Sequence, residues 1–105
     1  MPVASLPFGT AQLREMARDL LVRLRWRDVR IVADGQVDIE ATPPIGVPVL
    51  IACKLGMVGR VAVQEMADVA EARGPGAAIV TAQRCTTEGR QLAAELGVHV
   101  IELDL

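Results

Sequence analysis

The sequence predicts one α/β domain: a mixed five-stranded sheet flanked by helices, in the order α-β-β-β-α-β-α-β. Three observations carry this expectation. A 3.6-residue apolar periodicity runs near the start of the chain, short β-branched stretches separated by turn residues follow it, and the second half alternates such stretches with helical ones. The length agrees, since 105 residues suit one domain. A domain of that size buries roughly two-thirds of the surface its unfolded chain exposes.

Residues 1–9, with two prolines and a glycine, read as a flexible arm preceding a domain over 10–105. Thr10 is placed to cap a helix reaching about Trp26, whose apolar stripe is Leu13, Met16, Ala17, Leu20, Leu21 and Leu24. Two extended stretches follow, Val29 to Ala33 and Val37 to Ala41, separated by the hairpin signal Asp34-Gly35. After a turn at Pro43 to Gly46, the near-continuous apolar run Val47 to Leu55 reads as a strand buried on both faces. Gly56 to Gly59 lead into a helix over Arg60 to Arg73, closed by Gly74-Pro75-Gly76. Ala77 to Thr81 forms a short buried strand, and Thr86 or Thr87 caps a helix to Leu96 with Gly97 as its stop. Val98 to Leu103 is the last strand. The first three strands suit an antiparallel meander, and the later units suit right-handed crossovers that place helices on both faces.

Composition narrows the function. The chain is 51% apolar but only 2% aromatic, so its core is aliphatic. No apolar run approaches the roughly 18 residues of a membrane span, and the start lacks a signal-peptide pattern. A cytoplasmic protein is expected. Cys53 and Cys85 have neither disulfide nor metal-ligand spacing and read as buried, reduced thiols. Net charge is −2, yet residues 1–30 carry six arginines against three acids, while the rest carries five basic and ten acidic residues. Arg14, Arg18, Arg23 and Arg25 thus form a candidate phosphate-contacting face, with a solvated helix face as the alternative.

Asp38 and Lys54 are the residues on which chemistry can rest. Strand alternation puts Asp38 and Glu40 on one face, with Val37, Ile39 and Ala41 on the other. Lys54 ends an otherwise apolar strand. Adjacent strands would bring carboxylate and ammonium to one sheet edge, an arrangement suited to phosphodiester hydrolysis. There carboxylates hold a hard divalent ion, and a lysine orients water or offsets developing charge. A wet strand face and a snorkelling lysine are the alternatives. His99, the sole histidine, reads as structural or exposed, and no glycine-rich phosphate loop or zinc-ligand spacing occurs.

From Gly35 onward the chain resembles the Mrr-type restriction-endonuclease branch of the PD-(D/E)xK nuclease superfamily. That pattern runs, in outline, G-x-G-V-D-I, Q-C-K, V-G-x-x-x-V-Q-E-L, I-V-T, F-T and a closing apolar strand. The matching pieces are Gly35 to Ile39, Ala52-Cys53-Lys54, Val58 to Met66, Ile79-Val80-Thr81, Cys85-Thr86 and Val98 to Leu103. The first helix is also similar to the family's opening helix.

The resemblance implies a restriction-endonuclease-like fold and a DNA nuclease using Mg²⁺ or Mn²⁺, with Asp38 as metal ligand and Lys54 in the catalytic centre. Three departures stand against it: Ala52 where the family has Gln or Glu, Arg14 where an acid is common, and Gln36 in place of glycine. Glu65, 11 residues beyond Lys54, is the first candidate to supply the missing carboxylate as catalytic and metal-binding residue. It lies about 100° from the centre of its helix's apolar stripe, whereas Gln64 points away. Glu40 is the other candidate. The leading expectation is therefore a metal-dependent DNA endonuclease domain with a degenerate site, without organic cofactor; a homodimer is allowed and not required. Beside it stands a catalytically inactive nuclease-fold protein serving as a DNA-binding or assembly subunit, and behind both an α/β regulatory domain that binds no nucleic acid.

Overall fold

The computed structural model describes residues 9–73 and 77–102. Most of the expected arm, the Gly74-Pro75-Gly76 stop and Leu103 lie outside the described residues. The expected architecture is present: α1 (Thr10–Arg23), β1 (Arg27–Ile31), β2 (Ile39–Thr42), β3 (Val49–Cys53), β4 (Met57–Val58), α2 (Arg60–Arg73), β5 (Ala77–Ala82), β6 (Arg84–Cys85), α3 (Thr87–Leu96) and β7 (Val98–Glu102). Five strands form one mixed sheet in the order β1-β2-β3-β5-β7. The first three are antiparallel, and β3, β5 and β7 are parallel.

The central strand β3 is buried at every position, and its alternation builds two cores. Val49, Ile51 and Cys53 face α1, where they pack with Leu13, Ala17 and Leu21. Leu50 and Ala52 face the other way, towards Val63 and Met66 of α2 and Leu92 and Ala93 of α3. On that second face the helices approach closely at Gly89, where a Cβ would lie 3.0 Å from Cys85 Sγ and 3.1 Å from the Gly59 backbone. Thr86 caps α3 by accepting from the Gly89 N–H, and Gly97 ends it in the left-handed region.

Four local expectations are corrected. Gly9, not Thr10, holds the cap position of α1, and its N–H donates to Gln12 Oε1 at 2.9 Å. That helix ends at Arg23 rather than Trp26, because Arg25 turns left-handed (φ 67°). The Trp26 N–H donates to Leu21 O and the Arg25 N–H to Val22 O, both at 3.0 Å. These are the two bonds of a Schellman stop, formed here without glycine. The first strand starts two residues earlier than expected, with an irregular register between Arg27 and Arg30 and Asp28 at φ 52°. Finally, β4 and β6 form a small parallel sheet that was not anticipated.

Only part of the α1 stripe is covered. Leu13, Ala17 and Leu21 are buried, while Met16 and Leu20 stay 44% and 43% exposed beside Trp26, Ile79 and Ile101 in a groove of about 310 Å³. This helix overlies the β1–β3 side of the sheet, and among the described residues no helix covers the other end on that face. No described helix is long and apolar enough to cross a membrane.

Candidate active site

The turn between β1 and β2 sets the site's geometry. Asp34 Oδ1 accepts from the N–H groups of Gln36 (2.9 Å) and Val37 (2.8 Å), an Asx turn that brings the chain back towards β3. Its carboxyl is held well below the usual carboxylate range, first by the Val37 N–H and then by the Arg73 guanidinium, 2.6 Å from Oδ2. The chain then bends at Asp38 before entering β2. That bend breaks the expected alternation: Val37 packs into the α2/α3 core, whereas Ile39 and Ala41 pack against α1. Val37 therefore does not share a face with Ile39 and Ala41.

Asp38 is tied at both oxygens. Oδ1 accepts from Arg14 Nε at 2.6 Å, and Oδ2 accepts from the Cys53 N–H at 2.7 Å. The pair is largely shielded, with 14% of the Asp38 and 25% of the Arg14 side chain exposed. Asp38 thus stands in for a backbone acceptor at the end of the sheet and anchors α1 across it. Cys53, beneath this contact, has its thiol pushed up by burial, so it is no nucleophile. Both cysteines are buried and free, as expected.

Glu40, the other candidate on that strand, sits in a different ionic group. It pairs with Arg30 and lies 3.7 Å from Arg73 Nη1. It does not join Asp38 in a common site.

Lys54 is placed by its own backbone, whose N–H donates to Thr81 O at 2.8 Å just beyond β3. Its side chain lines a cavity of about 230 Å³ together with Gln36, Ala52, Glu65 and Asp68. Lys54 and Glu65 are therefore brought together, as their spacing suggested. Gln64 turns aside to donate to Asp68 Oδ1 at 2.9 Å. Asp68, one helical turn beyond Glu65, was missed by the sequence reading, although that i, i+3 spacing could have found it. Gln36 was read only as a departure from a family glycine. Asp38 does not line this cavity.

The fit to a divalent metal fails on these donors. Ala52, at the base of the cavity, carries no ligand atom. Asp38 shares its oxygens with a guanidinium and an amide. Among the described residues no three His, Cys, Asp or Glu side chains come together in a way that could hold a metal ion. Of the arginines thought to face phosphates, Arg14 is committed to Asp38 and Arg18 pairs with its neighbour Asp19 at 3.1 Å. Arg23 and Arg25 are exposed and form no ion pair with a described residue.

A family model described as restriction endonuclease matches residues 8–104. No curated protein sequence matches the chain. Among solved structures, the chain is similar to a repair endonuclease from Pyrococcus abyssi, at TM-score 0.68 and 17% identity, covering 91% of this chain and 47% of that one. It is similar also to EndoMS in apo form, at TM-score 0.70 and 15% identity over 93% of this chain and 47% of that one. EndoMS in a complex with double-stranded DNA matches at TM-score 0.63 and 20% identity, over 85% and 43%. The chain spans less than half the length of these structures.

Proposed function

Since this chain belongs to the restriction endonuclease family, whose model spans nearly all of it, we propose that it is a DNA-binding domain of nuclease fold that holds duplex DNA without cutting it. Nucleases of this fold generally use divalent metals. The observation that carries the reading is the state of the acid side chains. The hydrolytic reaction needs carboxylates free to hold a cation beside the scissile phosphate. Here Ala52 leaves one ligand position without an oxygen, and Asp38 is bonded to Arg14 and to the Cys53 N–H.

What remains suits binding. The Lys54 ammonium, at an exposed strand end, is a compact point charge for a phosphate oxygen. Arg23 and Arg25 are exposed cations at the C-terminal end of α1. The net charge of −2 keeps such binding weak, and a few phosphate contacts give it a shallow, measurable salt dependence through counterion release.

The test is gel retardation of duplex DNA in EDTA at low salt, run beside plasmid nicking in Mg²⁺ and in Mn²⁺. Retardation without nicking is expected. Absence of retardation at low salt would sink the DNA reading.

One observation favours a second reading, the metal-dependent endonuclease. Glu65 lines the same cavity as Lys54 and is the carboxylate best placed to replace the one missing at Ala52. Nicking lost in both Lys54→Ala and Glu65→Gln would establish it over the first.

A further inference from the structure

We propose that the Arg14 guanidinium is a resident cation for Asp38, standing where a divalent ion would otherwise meet this carboxylate and closing it to metal. The inference rests on the non-cleaving reading above and deepens it, because it names what closes the site.

The geometry is specific. Arg14 Nε lies 2.6 Å from Oδ1, and the second carboxylate oxygen is taken by the Cys53 N–H at 2.7 Å. A guanidinium is a permanent cation with a planar fork of donors that matches a carboxylate. The pair is also shielded, which weakens competition from water and salt. A divalent ion reaching Oδ1 would have to break a charge-assisted hydrogen bond while lying close to a second positive charge.

Among the described residues no three His, Cys, Asp or Glu side chains come together in a way that could hold such an ion. Ala52 offers no carboxylate, Glu40 is bound to Arg30 and near Arg73, and Glu65 lines a cavity that Asp38 does not.

The side-chain lengths give the inference a sharp form. Nε of an arginine and the Oε atoms of a glutamate are the same number of bonds from Cα. Arg14→Glu therefore sets carboxylate oxygens where the guanidinium now stands, against Asp38 Oδ1. Two carboxylates so placed repel each other until a cation joins them. A single substitution should convert an ion pair within the chain into a site for a divalent ion.

The experiment is Mn²⁺ titration of ¹⁵N-labelled protein. The Cys53 amide, bonded to Asp38, reports occupancy by paramagnetic broadening, and thermal unfolding is followed in parallel. In the wild type, millimolar Mn²⁺ should leave the Cys53 amide sharp and the Tm unmoved. Arg14→Glu should unfold at lower temperature without metal, show selective broadening at Cys53, and gain about 6 °C in Tm at Mn²⁺ tenfold above its Kd. Adding Asp38→Asn should cancel both responses. Should Arg14→Glu not fold, Arg14→Gln removes the guanidinium without adding charge, and broadening at Cys53 is still expected.

Selective broadening in the wild type that Asp38→Asn removes would overturn the proposal, since Asp38 would take metal with Arg14 present. Absence of broadening in the folded Arg14 variants would overturn it equally. DNA retardation in EDTA, measured on the same preparations, keeps the two claims apart: its failure would sink the DNA reading and leave the Mn²⁺ result standing.

Discussion

The two ends of the candidate site differ in how much freedom their side chains keep. At the Asp38 corner each carboxylate oxygen has a partner and the side chains are shielded. At the Lys54 end, the ammonium and Glu65 border an open cavity and both residues are exposed. Two residues that a family pattern treats as one catalytic unit thus differ in their commitments, although Asp38 bonds the N–H of Cys53, the neighbour of Lys54. One holds the sheet edge and the first helix together, and the other faces solvent. A pattern match at both positions says that the fold is kept; the contacts around each say what the position is kept for.

The sharpest way to break this comparison is Asp38→Ala. It leaves the Cys53 N–H without its acceptor and Arg14 without its counter-ion, at a cost of about 2–3 kcal/mol and a fall in Tm of about 10 °C or more. Lys54→Ala and Glu65→Gln should stay within about 0.5 kcal/mol of wild type. Denaturant unfolding of the three variants side by side checks this. Equal losses at the two ends would remove the distinction.

Arg14→Gln isolates the ion pair. The Cys53 bond to Asp38 survives, so a loss of about 1–2 kcal/mol is expected, smaller than for Asp38→Ala. A chemical-denaturation midpoint at unchanged slope measures it.

For Lys54→Ala the expected change lies in binding. DNA affinity should fall at low salt, and the slope of log K against log salt should drop by about one phosphate contact. An unchanged slope would take Lys54 out of the DNA interface.

The smallest expected effect concerns Asp34, whose ion pair with Arg73 is more exposed than the Asp38 pair. Its folded pKa is depressed below the ordinary 3.8. It therefore contributes stability that is present above that value and lost as pH falls below it. Asp34→Asn should lower stability modestly at neutral pH and flatten the acid limb, so that variant and wild type converge as pH falls. An unaltered acid limb would show that the Asx turn and Arg73 do not favour the charged form in solution.

Much of this fold was legible in the sequence, because its signals are local. The second helix runs over Arg60–Arg73 as expected, since its period is uninterrupted and glycine precedes it. Thr86 and Gly97 act as cap and stop for ordinary stereochemical reasons. The miss at the end of the first helix has a local cause too: a Schellman stop is recognised by its glycine, and here Arg25 takes that conformation. The strands β4 and β6 are two residues each, too short to show any period.

The site was legible only in part. Lys54 and Glu65 share a cavity because they lie near the adjoining ends of a strand and a helix, which spacing can reveal. The Arg14–Asp38 bond spans 24 positions, and nothing local announces it. Alternation failed at Asp38 because it assumes a regular strand, and the chain bends there. The departure at Arg14 was visible in the sequence, but its meaning needed the distance.

One measurement bears most directly on the central claim, that a nuclease fold here binds DNA with its acidic corner committed to structure. Supercoiled plasmid and a labelled duplex are incubated with the wild-type chain at low salt, in EDTA and in Mn²⁺. Retardation of the duplex equally in both conditions is expected, with plasmid that stays supercoiled. Plasmid nicked only in Mn²⁺, with nicking abolished by Asp38→Asn in a folded variant, would contradict it.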